Sequence, residues 1–284
     1  SVAIPVVPSV KRLFPNSKLI FNTVDLHFLR YEREQQLLKQ FPDYRMPARS
    51  LKINRQDEVF LVDQCDATIV VSDQEKELLD KLAPEANIAV IPLFGEVVGR
   101  NKNFEERFNI GFIGGYQHPP NADAVKHFVK DIWPKIRTEL PQCKFVIAGS
   151  NVTPEIEALA NSKHGIEVKG FVPEVGAFLE EIRVMVAPLR YGAGIKGKIV
   201  SALCHGVPQV ISEQAGEGMG LEHGNGVFIA PSDQEFCECV VSLYKNESVW
   251  NLASDGAENV AHELYSKSRQ AVKISNLLRS MNLS

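Results

Sequence analysis

Long apolar runs are missing from this 284-residue sequence: no window holds about 20 unbroken apolar residues, the length a membrane-spanning helix needs. An excess of basic charge is missing too. With 31 Lys and Arg against 35 Asp and Glu, the formal net charge is −4, and no broad positive field exists to attract nucleic acid. Cysteine is sparse. Cys65, Cys143, Cys204, Cys237 and Cys239 are scattered, and the C-x-C at Cys237 and Cys239 has no second pair. That argues against a disulfide scaffold and a usual zinc site, and leaves reduced, mostly buried thiols in a cytosolic protein as the expectation. The sequence also lacks a P-loop, an H-E-x-x-H, a G-x-S-x-G and a D-x-D for a metal-bound nucleotide. No metal site is expected.

What is present is an ordinary globular composition, 44% hydrophobic and 23% charged, at a length that suggests about two domains. From Phe108 onwards short apolar runs alternate with helical patterns. FNIGFIGG, CKFVIAGS, IEVKGFV, VMVAPL, PQVIS and GVFIA read as strands. NADAVKHFVKDIWPKIRTEL, TPEIEALA, EVGAFLEEI and a stretch from Ser232 read as helices between or after them. Strands alternating with helical crossovers indicate a doubly wound parallel sheet, and their continuous apolar character fits burial on both faces. The first hundred residues give a shorter α/β pattern. KLIFNTVD, ATIVVS and NIAVIPL are its strands, with helices near Phe28–Phe41, Ser50–Gln64 and Glu75–Ala83. One more helix spans Ser266 to Met281. The charged stretch at Phe104, Glu105 and Glu106 reads as a hinge. The expected division is 1–104 as a partial N-terminal Rossmann-like domain, 105–262 as a Rossmann-like nucleotide-sugar domain, and 263–284 as a helix packing back towards the N-terminal part. SDQE occurs twice, at Ser72 and Ser232, as a capping box before a helix.

Three loops carry candidate chemistry. In APLRYGAGIKGKIVSALCHGVP, Gly192, Gly194 and Gly197 allow close approach of backbone to a ligand, and Lys196 and Lys198 bring two cations to the start of a helix. Glycines, lysines and helix amides after a parallel strand suit a diphosphate. Lys196 is expected in the loop and Lys198 in the first helical turn, both as exposed side chains that contribute little to stability. GGYQHPPN is a second strand-to-helix loop, with Asn121 as its expected N-cap. In NTVDLHFLR, Asp25, His27 and Arg30 cluster after a strand.

Together CDATIVVSDQEKELL, NIGFIGGYQHPPNADAVKHFVKDIWPKI, KFVIAGS, VKGFV, MVAPLRYGAGIKGKIVSALCHGVPQVIS and AGEGM resemble the group 1 retaining glycosyltransferases of the GT-B fold, nearest to those that build bacterial surface polysaccharides. FNTVDLHFLRYERE resembles the late part of that family's N-terminal domain. The resemblance implies two Rossmann-like domains with a nucleotide-diphosphate sugar as donor substrate, no further cofactor, and a glycan or lipid-linked acceptor. It implies that Gly194, Lys196 and Lys198 hold the diphosphate and that Gly114 and Gly115 line the same cleft. Gly149–Ser150 and the loop with Phe171 and Val172 would lie beside the base, and His27 would face the transferred sugar. His27, Lys196 and Lys198 are the implied catalytic groups. Transfer would be metal-independent and retaining, in the cytoplasm, with room for peripheral association at the inner face of the membrane.

Two departures from the family stand out. The glutamate pair found seven residues apart in many members is replaced by Ala193 and Ser201, so either donor binding is rearranged, with Ser201 and Glu217 taking part, or the site is weakened. The early strands of the N-terminal domain are also expected to precede Ser1, so that turnover by these residues alone is expected to be poor. Two other functions stay open: a non-catalytic nucleotide-sugar-binding or scaffold domain, and a sugar-nucleotide epimerase, which would need more carboxylates near the loops.

Overall fold

The computed structural model describes residues 3–40 and 54–283. Its chain divides into two compact units. Unit 1 is Ser1–Phe94, Tyr191–Ile195 and Lys267–Ser284; unit 2 is Gly95–Arg190 and Lys196–Ser266.

Unit 1 opens with α1 (Ala3–Leu13), then runs β1 (Ile20–Asn22), α2 (His27–Gln40), α3 (Arg55–Gln64), β2 (Ala67–Val70), α4 (Asp73–Leu82) and β3 (Ile88–Val90). Residues 41 and 50–53 of the two expected helices lie outside the described residues. The sheet is parallel in the order β1-β2-β3. Leu26, Phe28, Val62, Val70, Leu79 and Ile88 form one core of this unit. Helix α1 carries Pro5 and Pro8 and buries none of its residues, which is why no helix is anticipated there.

Unit 2 carries β4 (Asn109–Ile113), α5 (Pro119–His127), α6 (Trp133–Glu139), β5 (Phe145–Ala148), α7 (Pro154–Glu157), β6 (Ile166–Gly170), α8 (Val175–Glu181) and β7 (Ile182–Ala187). It continues through α9 (Gly197–Cys204), β8 (Gln209–Ser212), α10 (Glu213–Gly216), β9 (Val227–Ala230), α11 (Asp233–Lys245) and α12 (Glu247–Val260). The six strands are all parallel, in the order β6-β5-β4-β7-β8-β9. The chain starts at the centre, winds outwards one way through β5 and β6, and returns to wind the other way from β7. β5 is buried at every position, as its unbroken apolar sequence requires. Phe128 packs 4.5 Å from Phe145 and 6.0 Å from Phe236 on one face; Phe178, Leu179 and Ala202 share another core with Val146 and Met185.

The long helix expected from Asn121 to Leu140 is interrupted. Residues Phe128–Ile132 form a π turn before α6, where Pro134 has no amide to give. Ser72 and Ser232 do cap α4 and α11, each accepting the amide of the glutamate three residues on. Residues 95–104 belong to unit 2 rather than to the N-terminal part. The amides of Val98 and Gly99 both bond Cys204 O, at 2.9 and 3.0 Å, and Gly95 N bonds Tyr265 O. A last helix, α13 (Lys267–Ser280), belongs to unit 1, where Leu277 and Met281 are buried with Ala67 and Ile91. No helix among the described residues is long and apolar enough to cross a membrane.

Candidate functional site

In an open parallel sheet, ligands settle outside the carboxyl ends of the strands, where the winding reverses. In unit 2 that point lies between β4 and β7. Gly114 and Gly115 follow β4, and Asn121 closes the loop by donating Nδ2–H to Gly115 O at 2.9 Å. A side chain at 114 would meet the Asn121 carboxamide at 2.8 Å. Gly149 follows β5 with φ +141°, and a Cβ there would fall 1.7 Å from Gly114 O. The ends of β4 and β5 are thus bare backbone in contact. Ser150 joins them: its carbonyl accepts the Tyr116 amide at 2.9 Å, and its hydroxyl lies near Gly115.

From the other side of the switch comes α9. Lys196 is its N-cap residue and Lys198 its second residue, as the sequence implied. Helix geometry leaves the opening amides without acceptors in their own helix, and the dipole makes that end positive. The lysines themselves depart from expectation. Lys196 is buried and Lys198 partly so, with its ammonium enclosed 4.7 Å from the Phe112 ring centroid. Lys198 Nζ donates to Asn121 Oδ1, so the carboxamide bridges the glycine loop and the lysine. Burial, with Lys196 beside it, pulls the Lys198 amine down to about 7. Burial of this kind disfavours the charged form of an amine. Beneath the loops, Arg190 and Asp123 form a two-bond ion pair that ties the end of β7 to α5.

Unit 1 holds the second candidate. Asp25, His27 and Arg30 do cluster after β1. Arg30 Nη1 donates to Asp25 Oδ2 at 2.5 Å, and His27 Nε2 lies 3.5 Å from Asp25 Oδ1. Two buried carboxylates on other helices hold the segment. Glu58 of α3 meets His27 Nδ1 at 3.0 Å, and Glu75 of α4 accepts the Leu26 amide at 3.2 Å. Burial raises the Asp25 carboxyl above its usual range, against the opposing pull of Arg30 and His27. The Glu58 hydrogen bond, helped by Asp25, raises His27 against the effect of burial and Arg30. Val24, just before the cluster, has φ +61°, which is unusual for a β-branched residue. Gly194 also belongs to this unit: its φ is +66°, and a Cβ there would meet the Asp25 Cβ at 2.8 Å.

Of the sequence candidates, Gly114, Gly115, Gly149, Ser150 and Lys198 come together in unit 2, with Lys196 beside Lys198 at the opening of α9. Phe171 is 70% exposed after β6, whereas Val172 packs into the core with Phe178. Ser201 sits in the second turn of α9 with its carbonyl bonded by His205 Nδ1, and Glu217 is the C-cap of α10. Asn121 is not the N-cap of α5. Pro119 and Pro120 open that helix and His118 caps it, which frees Asn121 for Lys198. Glu58 escapes a sequence reading because its His27 partner lies 31 residues away, and Glu75, read as the capping-box glutamate, turns its carboxylate to the Leu26 amide 49 residues away and to the Val71 amide. Among the described residues no group of three or more His, Cys, Asp or Glu has the arrangement of a metal site.

Residues 107–246 match a family described as Glycosyl transferases group 1. The chain is 24% identical over 147 residues to an uncharacterized 44.6 kDa protein in the cps region of Klebsiella pneumoniae, a match covering 49% of this chain and 38% of that one. Among solved structures, HepE of Anabaena, in complex with UDP and glucose, matches with TM-score 0.70 at 13% identity, over 97% of this chain and 75% of that one. TarM of S. aureus matches with TM-score 0.68 at 16% identity, over 78% and 46%. The pneumococcal O-GlcNAc transferase GtfA, in complex with UDP and GlcNAc, matches with TM-score 0.65 at 16% identity, over 79% and 47%. The chain thus spans well under two thirds of the Klebsiella protein and of TarM. The fold of these structures is the GT-B-like α/β architecture expected from the sequence.

Proposed function

We propose that this chain moves a sugar from a nucleotide-diphosphate sugar to a glycan or lipid-linked acceptor, a reading supported by the match of residues 107–246 to Glycosyl transferases group 1. The observation that carries the reading is the convergence of bare glycine backbone, the α9 N-terminus and Lys198 at the switch point of the unit 2 sheet. Gly114 and Gly115 let a diphosphate approach the main chain. The opening amides of α9, Lys196 and Lys198 neutralise the charge that builds on the diphosphate as it leaves. Electrostatic stabilisation of this kind is usually the largest catalytic term, and losing one such contact costs about 2.7–4 kcal/mol in the barrier. Two cations and a helix terminus support transfer that does not depend on a metal. The resemblance of the sequence to the group 1 retaining glycosyltransferases supports retention, and we assign His27 to the transferred sugar.

Relatives solved with UDP put a uridine donor first among those to test, and the cps region of the Klebsiella relative supports a surface-glycan acceptor, reached at the cytoplasmic side of the membrane. One feature favours a second reading, a non-catalytic nucleotide-sugar-binding domain: Ala193 and Ser201 stand where the family that the sequence resembles is expected to carry its glutamate pair. Incubation with radiolabelled UDP-, GDP- and CDP-sugars, scored for both transfer and hydrolysis, separates the two. Label moved to acceptor supports the transferase; saturable nucleotide binding without turnover supports the second reading.

A further inference from the structure

The carboxylate of Glu58 leaves α3 and reaches the first turn of α2. Oε2 accepts the Phe28 amide at 2.8 Å; Oε1 accepts the His27 amide at 3.2 Å and lies 3.0 Å from His27 Nδ1. The Glu58 side chain is only 4% exposed, whereas His27 is 38% exposed. A helix can satisfy its opening amides with water or with a short side chain from its own N-cap. A buried carboxylate from another helix that serves two amides and the ring at once does more. An ionised carboxylate can only accept, so it assigns a proton to Nδ1 and fixes the rotation of the imidazole. Nε2 is then the ring nitrogen that Glu58 does not engage, with Asp25 Oδ1 3.5 Å away and the other Asp25 oxygen bonded by Arg30.

We propose that Glu58 is a positioning residue for His27 in sugar transfer, locking the ring and keeping Nδ1 protonated so that Nε2 is offered to a sugar hydroxyl. The proposal rests on the reading of His27 as the group that meets the sugar. The charged groups facing the ring are Glu58 and Asp25, which favour the imidazolium, and Arg30, which opposes it.

The test uses Glu58→Gln and Glu58→Ala in the full chain. Glutamine keeps an oxygen for the α2 amides but loses the charge and can turn an NH2 towards Nδ1, so the helix cap survives while the command over the ring does not. Nitrogen NMR of His27, assigned by its loss in His27→Asn, reads tautomer and titration without any substrate. In E58Q the His27 midpoint is expected to fall and the neutral ring to shift its proton to Nε2. Transfer assays are expected to show kcat down about a hundredfold with donor KM unchanged, the scale of a misplaced catalytic group, and a pH profile moved with the His27 midpoint. An unchanged His27 titration and tautomer in E58Q overturns the proposal. So does a variant that loses thermal stability but keeps the wild-type pH profile, since that is the behaviour of a cap alone. A wild-type chain that transfers no sugar counts against the reading of His27 in catalysis, and the NMR arm still decides whether Glu58 commands the ring.

Discussion

Lys198 gives its ammonium to the carboxamide oxygen of Asn121, a residue 77 positions earlier in the chain whose amide nitrogen is held by Gly115 O. The cation is thus parked on a neutral dipole, in a place that burial makes costly for charge, with its amine at about 7 rather than near 10. Under the proposed function, a diphosphate bound there would supply negative charge and draw a proton onto the amine. Affinity for nucleoside diphosphates is therefore expected to weaken about tenfold per pH unit above about 7, with proton uptake on binding. Calorimetry in two buffers of different ionisation enthalpy reads the uptake directly. Without ligand the sign for stability is the opposite. Between about 7 and 10.5 the unfolded chain holds a proton that the folded chain lacks, so this group makes stability rise with pH across that window.

Enclosure of the lysine changes what its removal should do. Lys198→Met replaces a desolvated charge by an apolar chain of similar length, so the melting temperature is expected to hold or rise. Nucleoside-diphosphate affinity is expected to fall roughly 10- to 100-fold, the value of one charge-assisted contact. Lys196→Ala together with Lys198→Ala should remove most of the affinity. Thermal shift and titration on the same samples check both halves, and unchanged affinity would return the loop to a structural turn.

Gly149 and Gly170 both have positive φ at the carboxyl end of a strand, but they are not equivalent. A methyl group at 149 runs into the Gly114 carbonyl, whereas one at 170 meets nothing within 4 Å. Gly149→Ala is expected to cost about 4 kcal/mol or more and to spoil nucleotide binding. Gly170→Ala should cost only the backbone term, about 1–2 kcal/mol. Urea unfolding of the two variants side by side tests the contrast.

Val24 is 59% exposed and left-handed, so its side chain contributes little burial while its backbone is strained. Val24→Asn is expected to stabilise the chain by about 1 kcal/mol, because asparagine tolerates that conformation. A lower melting temperature in the variant would mean that the valine methyl groups make contacts worth more than the strain.

Much of the fold was legible because unit 2 obeys simple rules. Unbroken apolar strands such as FVIA at β5 announce burial on both faces, and glycines mark where they end. The two lysines were legible for the same reason: their place after a strand and before a helix fixes their destination. What stayed hidden was set by distance or by exceptions. Asn121 looks like a helix cap because asparagine usually is one, and only the two prolines before it move the start of α5. Helix α12 escaped because its cap, the Asn246 side chain on the Val249 amide, follows directly on the last turn of α11. Glu58 sits beside Asp57 in a run that reads as a solvated helix face, and nothing local says that one of the two turns inward to a histidine.

The sheet order has a consequence for how the molecule comes into being. β4 is the first strand of unit 2 to leave the ribosome and also the one that must wait for a neighbour made much later, β7. At synthesis rates of about 5–20 residues per second, the 77 residues between Asn121 and Lys198 correspond to about 4–15 s. During that interval the glycine turn after β4 exists without the helix end that later faces it. The two sides meet only when that loop of chain has been drawn shut, so under the proposed function a bound nucleotide would add its energy late, as a seal on a nearly finished domain rather than as a nucleus for it.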